Sequence, residues 1–193
     1  MSFFSLSNAI RAFVLFGVLA FVFVNVKSCQ RPATGVEAFA TGTLGHLTSL
    51  QAPPAQPATV FRNAQGEEVR LSDYRGKPLL LNVWATWCPP CVAEMPMLDR
   101  LAAERDDIEV LTVAFDEPEN ARAWLEERGL DLPDYADTGY TLTARLATPE
   151  MNQLGLPITV FYNGGGREVA RVLGEVDWDK PEARGFLDYV VTR

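Results

Sequence analysis

The chain has 193 residues, 48% of them hydrophobic, and a formal net charge of −8. That length bounds it to one domain with an appendage. The acidic balance excludes a nucleic-acid binder, which needs a basic face.

The first element is apolar. Ala9 to Val26 is broken only by Arg11, Gly17 and Asn25. As a helix it would reach about 27 Å, just enough for a bilayer core. Residues 1–30 are therefore read as a membrane anchor, with a cleaved signal sequence as the alternative. A small-x-small match, Ala38-Phe39-Ala40, lies well past the apolar run, beyond Lys27, Arg31 and Glu37. Cleavage follows an apolar region closely, so a retained anchor is favoured. Positive charges flank both ends of the run, so they do not orient it. Cys29 comes directly after it. Val26-Lys27-Ser28 fits a lipid-attachment signal poorly, and an inert juxtamembrane thiol is the simpler reading; a disulfide between two anchored chains stays open. Residues 31–57 are rich in Ala, Thr, Gly and Pro, with Pro53, Pro54 and Pro57 clustered at the end. They read as a flexible linker. His46, alone within them, is assigned no role.

Residues 58–193 read as one domain. Thr59 to Arg62 and Glu67 to Leu71 form a hairpin across the turn Asn63-Ala64-Gln65-Gly66. Pro78 to Ala85 is a near-continuous apolar strand, as in the middle of a sheet covered on both faces, with Asn82 its one strongly polar residue. Then comes Trp84-Ala85-Thr86-Trp87-Cys88-Pro89-Pro90-Cys91, followed by a helix over Val92 to Arg105 that Pro96 should bend. Ile108 to Phe115 is a second buried strand, and Pro118 to Arg128 a helix stopped by Gly129. Asp134 to Ala136 is a brief strand and Tyr140 to Ala147 a short helix. Ile158 to Tyr162 and Glu168 to Leu173 pair across Asn163-Gly164-Gly165-Gly166. Asp179 to Val191 closes the chain as a helix, with Asp179 as its cap. Strand–helix–strand spacing implies a parallel core, and the late hairpin adds antiparallel strands. The expected fold is α/β, a mixed central sheet with helices on both faces.

The chemistry concentrates at Cys88 and Cys91. A strand delivers Cys88 to a helix N-terminus, where partial positive charge and unpaired N–H groups favour a thiolate. Cys88 should therefore be the nucleophile, with a lowered pKa. Cys91 sits one turn on, facing inward, placed to attack a mixed disulfide on Cys88 and close a redox disulfide. A C-x-x-C can also be half of a zinc site. With no second pair and only one distant histidine, no metal is assigned.

Three stretches carry a family resemblance. They are Leu81 to Cys91 with Glu94-Met95-Pro96 behind it, Leu71-Ser72-Asp73-Tyr74-Arg75-Gly76-Lys77 upstream, and Gly155-Leu156-Pro157-Ile158-Thr159-Val160-Phe161 downstream. Together the domain resembles the thioredoxin superfamily, and more closely the membrane-anchored TlpA/ResA-type thiol:disulfide oxidoreductases of bacteria. The resemblance implies a thioredoxin-like fold with an added N-terminal hairpin. Pro157 is implied to be cis and to face the cysteines, and the Leu156 backbone to pair with a partner segment, a small strand addition. An ordinary trans loop proline is the alternative. Trp87 and Pro89 are implied to shape partner binding, and Trp84 to belong to the core. Glu94 lies on the stripe of Cys88, Cys91 and Leu98. Partly buried there, it would have a raised pKa and exchange a proton with Cys91; a solvated helix glutamate is the plain alternative. Thioredoxins proper carry a buried aspartate where this chain has Asn82, which leaves Glu94 the better proton carrier. The segment from Ala147 to Gln153 departs from the family pattern beside the proline loop.

The function the resemblance implies is a membrane-tethered disulfide reductase of extracytoplasmic protein dithiols and disulfides. Its setting would be cytochrome c maturation or copper-site assembly in oxidases. The domain would lie in the periplasm, on the outer side of the bacterial inner membrane. No cofactor is implied; electrons would come from an upstream membrane dithiol donor. Two other readings compete. The thiolate pair could hold Cu(I) in a copper chaperone. A thiol peroxidase of the same fold would carry threonine three residues before its reactive cysteine, where this chain has Ala85.

Overall fold

The computed structural model describes residues 35–53, 56–146 and 155–193. The apolar run Ala9–Val26, Cys29 and the segment 147–153 lie outside the described residues. Among the described residues, no helix is long and apolar enough to cross a membrane.

Eight strands form one mixed sheet. They are β1 (Leu47–Thr48), β2 (Val60–Arg62), β3 (Glu68–Arg70), β4 (Leu79–Trp84), β5 (Glu109–Ala114), β6 (Tyr135–Ala136), β7 (Ile158–Tyr162) and β8 (Glu168–Leu173). Their order across the sheet is β1-β8-β7-β4-β5-β6-β2-β3. β4 pairs parallel with β5 and antiparallel with β7. The start of β7 therefore lies beside the end of β4, at the end of the sheet where β5 also finishes, with Ile158 opposite Val83. The helices are α1 (Pro89–Glu104), α2 (Pro118–Arg128), α3 (Thr141–Leu146) and α4 (Pro181–Val191).

β4 is buried at every position, which is why it reads as a continuous apolar run. Its alternate residues serve two cores. Leu80 and Trp84 face α1, α2 and α4, meeting Met95, Leu98, Leu125, Phe186 and Leu187. Leu79, Leu81 and Val83 face the other way, toward Phe61, Leu71, Leu142 and Leu146. Helices thus cover both faces, as expected, and Trp84 is wholly buried in the core.

The two hairpin turns are built alike. Asn63 Oδ1 accepts from the N–H groups of Gln65 and Glu67, and Asn163 Oδ1 from those of Gly165 and Arg167. A glycine of positive φ follows each, Gly66 at 80° and Gly166 at 76°, the region where a Cβ is penalised.

Two expectations need correction. Residues 35–48 are not a linker. Gly35–Phe39 and Gly42–Leu44 are 3-10 turns, and Leu47–Thr48 pairs with β8 as an edge strand. Val36, Leu44 and Leu47 are buried in the core beneath α4. A few apolar residues at the right places outweigh the small-residue composition between them. At the other end, α4 starts at Pro181, with Lys180 at the N-cap and no side-chain cap. Asp179 instead binds the guanidinium groups of Arg100 and Arg184, which hold its carboxyl below the usual range.

Candidate active site

Cys88 is the N-cap residue of α1. Pro89 and Pro90 follow it, and proline suits a first turn whose N–H groups have no helical partner. The Cys88 sulfur accepts from the Cys91 N–H at 3.3 Å. Cys88 and Cys91 are joined as a disulfide, with Cα atoms 5.2 Å apart. Their exposures differ in the sense chemistry requires. Cys88 keeps 5% and lines a surface cavity, while Cys91 is wholly buried. Thr86 is held from the other side: its N–H and hydroxyl both donate to Asp116 Oδ2, at 2.8 and 2.9 Å. The loop carrying Trp87 and Cys88 is thus tied to the end of β5.

The cavity has a volume of about 230 Å³ and is lined by Trp87, Cys88, Pro89, Phe115 and Leu156. Of the four residues expected to meet a partner, Trp87, Pro89 and Leu156 line it and Pro157 does not. Trp87, Pro89 and Leu156 form walls, and the Leu156-Pro157 bond beside them is cis, with Pro157 buried. Leu156 precedes the first ladder residue of β7, so it reaches the cavity from a strand start.

Glu94 is fully buried rather than partly so. It shares the inward stripe of α1 with Cys91, Met95 and Leu98. Its Oε1 accepts from Asn82 Nδ2 at 2.6 Å; its Oε2 accepts from the Val176 N–H at 3.1 Å and from Trp178 Nε1 at 3.3 Å. Burial pushes its carboxyl up to about 7, and these three donors hold it back from rising further. A carboxyl poised near neutrality can accept a proton there and return it. Asn82 also donates to Thr159 Oγ1 at 3.0 Å, and its own Oδ1 is buried without a partner. Rotating that amide would turn an acceptor toward Glu94, which is what a protonated carboxyl needs.

Sequence reasoning singled out Asn82 only as a substitute for aspartate. It did not pick out Trp178, Asp116 or Phe115 as parts of the site. A lone asparagine in an apolar strand was the available signal for the first; the others are brought in by tertiary packing alone. Among the described residues, no group of three or more His, Cys, Asp or Glu side chains could hold a metal ion.

Comparison with known proteins agrees with this geometry. Residues 50–167 match the model of the AhpC/TSA family. The chain is 38% identical over 93 residues to the thiol-disulfide oxidoreductase ResA of Geobacillus thermodenitrificans, a match covering 47% of this chain and 53% of that one. The match therefore spans about half of that relative's length. A second ResA, from Oceanobacillus iheyensis, is 31% identical over 141 residues, covering 71% of this chain and 69% of its own. Among solved structures, a protein described as the thiol:disulfide interchange protein DsbE of Chlorobium tepidum superposes with a TM-score of 0.63. It has 20% identity, and the match covers 74% of this chain and 99% of that one. The chain belongs to the AhpC/TSA family, on a thioredoxin-like fold, and within it to the ResA type.

Proposed function

We propose that the protein is a thiol:disulfide oxidoreductase that reduces disulfides of other proteins. The observation that carries this is the asymmetry of the pair: Cys88 caps α1 at the cavity wall, and Cys91 is buried one turn behind it. In the reduced enzyme the helix terminus and the Cys91 N–H favour the Cys88 thiolate. The thiolate attacks one sulfur of a client disulfide, forming a mixed disulfide and releasing the other client sulfur as a thiolate. Cys91 gives up its proton, and its sulfur attacks Cys88 Sγ. The second client sulfur leaves, and the Cys88–Cys91 disulfide closes. Two electrons have passed to the client, and two protons complete its thiols. Glu94 is the group we assign to take the Cys91 proton, since it lies one turn further along the same buried stripe. An external dithiol must then reduce the enzyme again.

The apolar run Ala9–Val26 supports a tether to the bacterial inner membrane, with the domain in the periplasm, where disulfide chemistry persists. Clients in cytochrome c maturation or oxidase copper-site assembly are proposed from the family resemblance, with a membrane dithiol protein as the electron source. The test is trapping in cells. Full-length Cys91→Ser should accumulate mixed disulfides that a reductant releases, and Cys88→Ser should accumulate none. The opposite pattern would overturn the assignment of roles. Mass spectrometry of the trapped proteins identifies the clients.

A further inference from the structure

Two large apolar side chains are left exposed among the described residues: Trp87 at 62% and Tyr140 at 56%. They are the two ends of one run of rings. Trp87 meets Phe115 edge-on with centroids 6.3 Å apart, and Phe115 meets Tyr140 at 4.3 Å. Trp87 and Phe115 line the cavity that opens on Cys88; Tyr140 is outside that lining and packs on Phe115.

Tyr140 is also displayed in an unusual way. Its φ is 55°, and it is the one non-glycine residue of positive φ among the described residues. That conformation is disfavoured for a side chain with a Cβ. The surrounding loop enforces it. Asp137 N–H donates to the Ala114 carbonyl at the end of β5, and the Tyr140 N–H donates to the Asp137 carbonyl. The buried Asp137 carboxylate accepts from the N–H groups of Thr141, Leu142 and Thr143. The backbone that carries the ring is therefore fixed before any partner arrives, which lowers the ordering cost of binding.

We infer that Tyr140, with Phe115, forms a specificity shelf for an extended client segment with a bulky apolar side chain two residues from its reactive cysteine. This deepens the oxidoreductase reading and rests on it. The occupant follows from the position. Whatever reacts at Cys88 must bring a sulfur to the cavity wall, and the rings begin at that wall. An extended chain advances about 3.3 Å per residue and presents alternate side chains to one face. The second residue from the client cysteine thus shares the sulfur's face, and on this proposal it is the side chain that meets Phe115 and Tyr140.

The test uses the reduced full-length protein and synthetic peptides closed by one disulfide. The peptides differ only in carrying phenylalanine or serine two residues from a cysteine, on either side. The wild type should reduce the better-placed phenylalanine peptide about tenfold faster than its serine counterpart, by product thiols after quenching. In Tyr140→Gly, where glycine adopts the backbone conformation freely, that ratio should fall below about threefold. Tyr140→Phe should retain it. Equal rates for the phenylalanine and serine peptides, or a ratio unchanged in Tyr140→Gly, would overturn the shelf alone. Failure to reduce any peptide would overturn the oxidoreductase reading and the shelf with it.

Discussion

Replacing Glu94 by glutamine isolates the energetic cost of a buried carboxylate. In the folded chain the carboxyl titrates near 7, against 4.5 as its ordinary value. Folding therefore favours the protonated form. The carboxyl costs nothing extra below about pH 4.5, and its penalty grows as pH rises until it is complete above 7. At about 1.4 kcal/mol per pKa unit, the difference amounts to ~3 kcal/mol of stability lost across that window. Glutamine fits the same site. Its carbonyl can accept from Val176 N–H and Trp178 Nε1, and its amide can donate to the Asn82 Oδ1 that now lacks a partner, once that amide rotates. Urea melts of the oxidised wild type and Glu94→Gln, followed by circular dichroism from pH 4.5 to 8.5, provide the assay. The variant should gain on the wild type by ~3 kcal/mol as pH rises. Parallel stability curves would refute the argument, because they would mean the carboxyl titrates alike in both states.

Other outcomes follow from the packing. Leu44→Ala should cost about 2–4 kcal/mol, because Leu44 is wholly buried against the domain; a calorimetric midpoint like the wild type's would restore the linker reading of this stretch. Arg171→Met should destabilise by about 3–5 kcal/mol, since it strands Glu168 beneath the surface without its ion-pair partner. Adding Glu168→Leu should recover most of that loss in the same denaturation assay.

Much of the site was legible because its signals are local. The pair Cys88 and Cys91, the apolar strand before it and the helix after it lie within one short stretch, and Pro157 announces itself by preceding a strand. What was not legible depends on distant segments meeting. Glu94 is bonded to Asn82 twelve positions before it and to Trp178 eighty-four after it. Neither separation leaves a periodic trace. Its depth was underestimated for the same reason: a glutamate is rarely buried, and only the far end of the chain, arriving at Val176 and Trp178, closes the site over it. Gly35 to Thr48 was misread because composition averages over a segment. Val36, Leu44 and Leu47 are too few to shift that average, yet they are enough to seat it on α4. The hairpins, by contrast, were visible because Asn63 and Asn163 set their turns within a few residues.

The antiparallel seat of β7 beside β4 has a consequence for how such a protein can diversify. The sulfurs and Glu94 hang on one strand–helix unit, whose geometry the sheet holds rigid. Trp87 and Pro89 give the cavity one side from that same unit, and its other walls come from elsewhere: Phe115 from just past the end of β5 and Leu156 from just before β7, with Tyr140 packed on Phe115 from the loop before α3. If the proposed shelf selects clients, part of that choice is written on pieces of chain separate from the reactive unit, which meet it only in space. Loops could be exchanged between related proteins to redirect the enzyme while its electron chemistry stayed as it was.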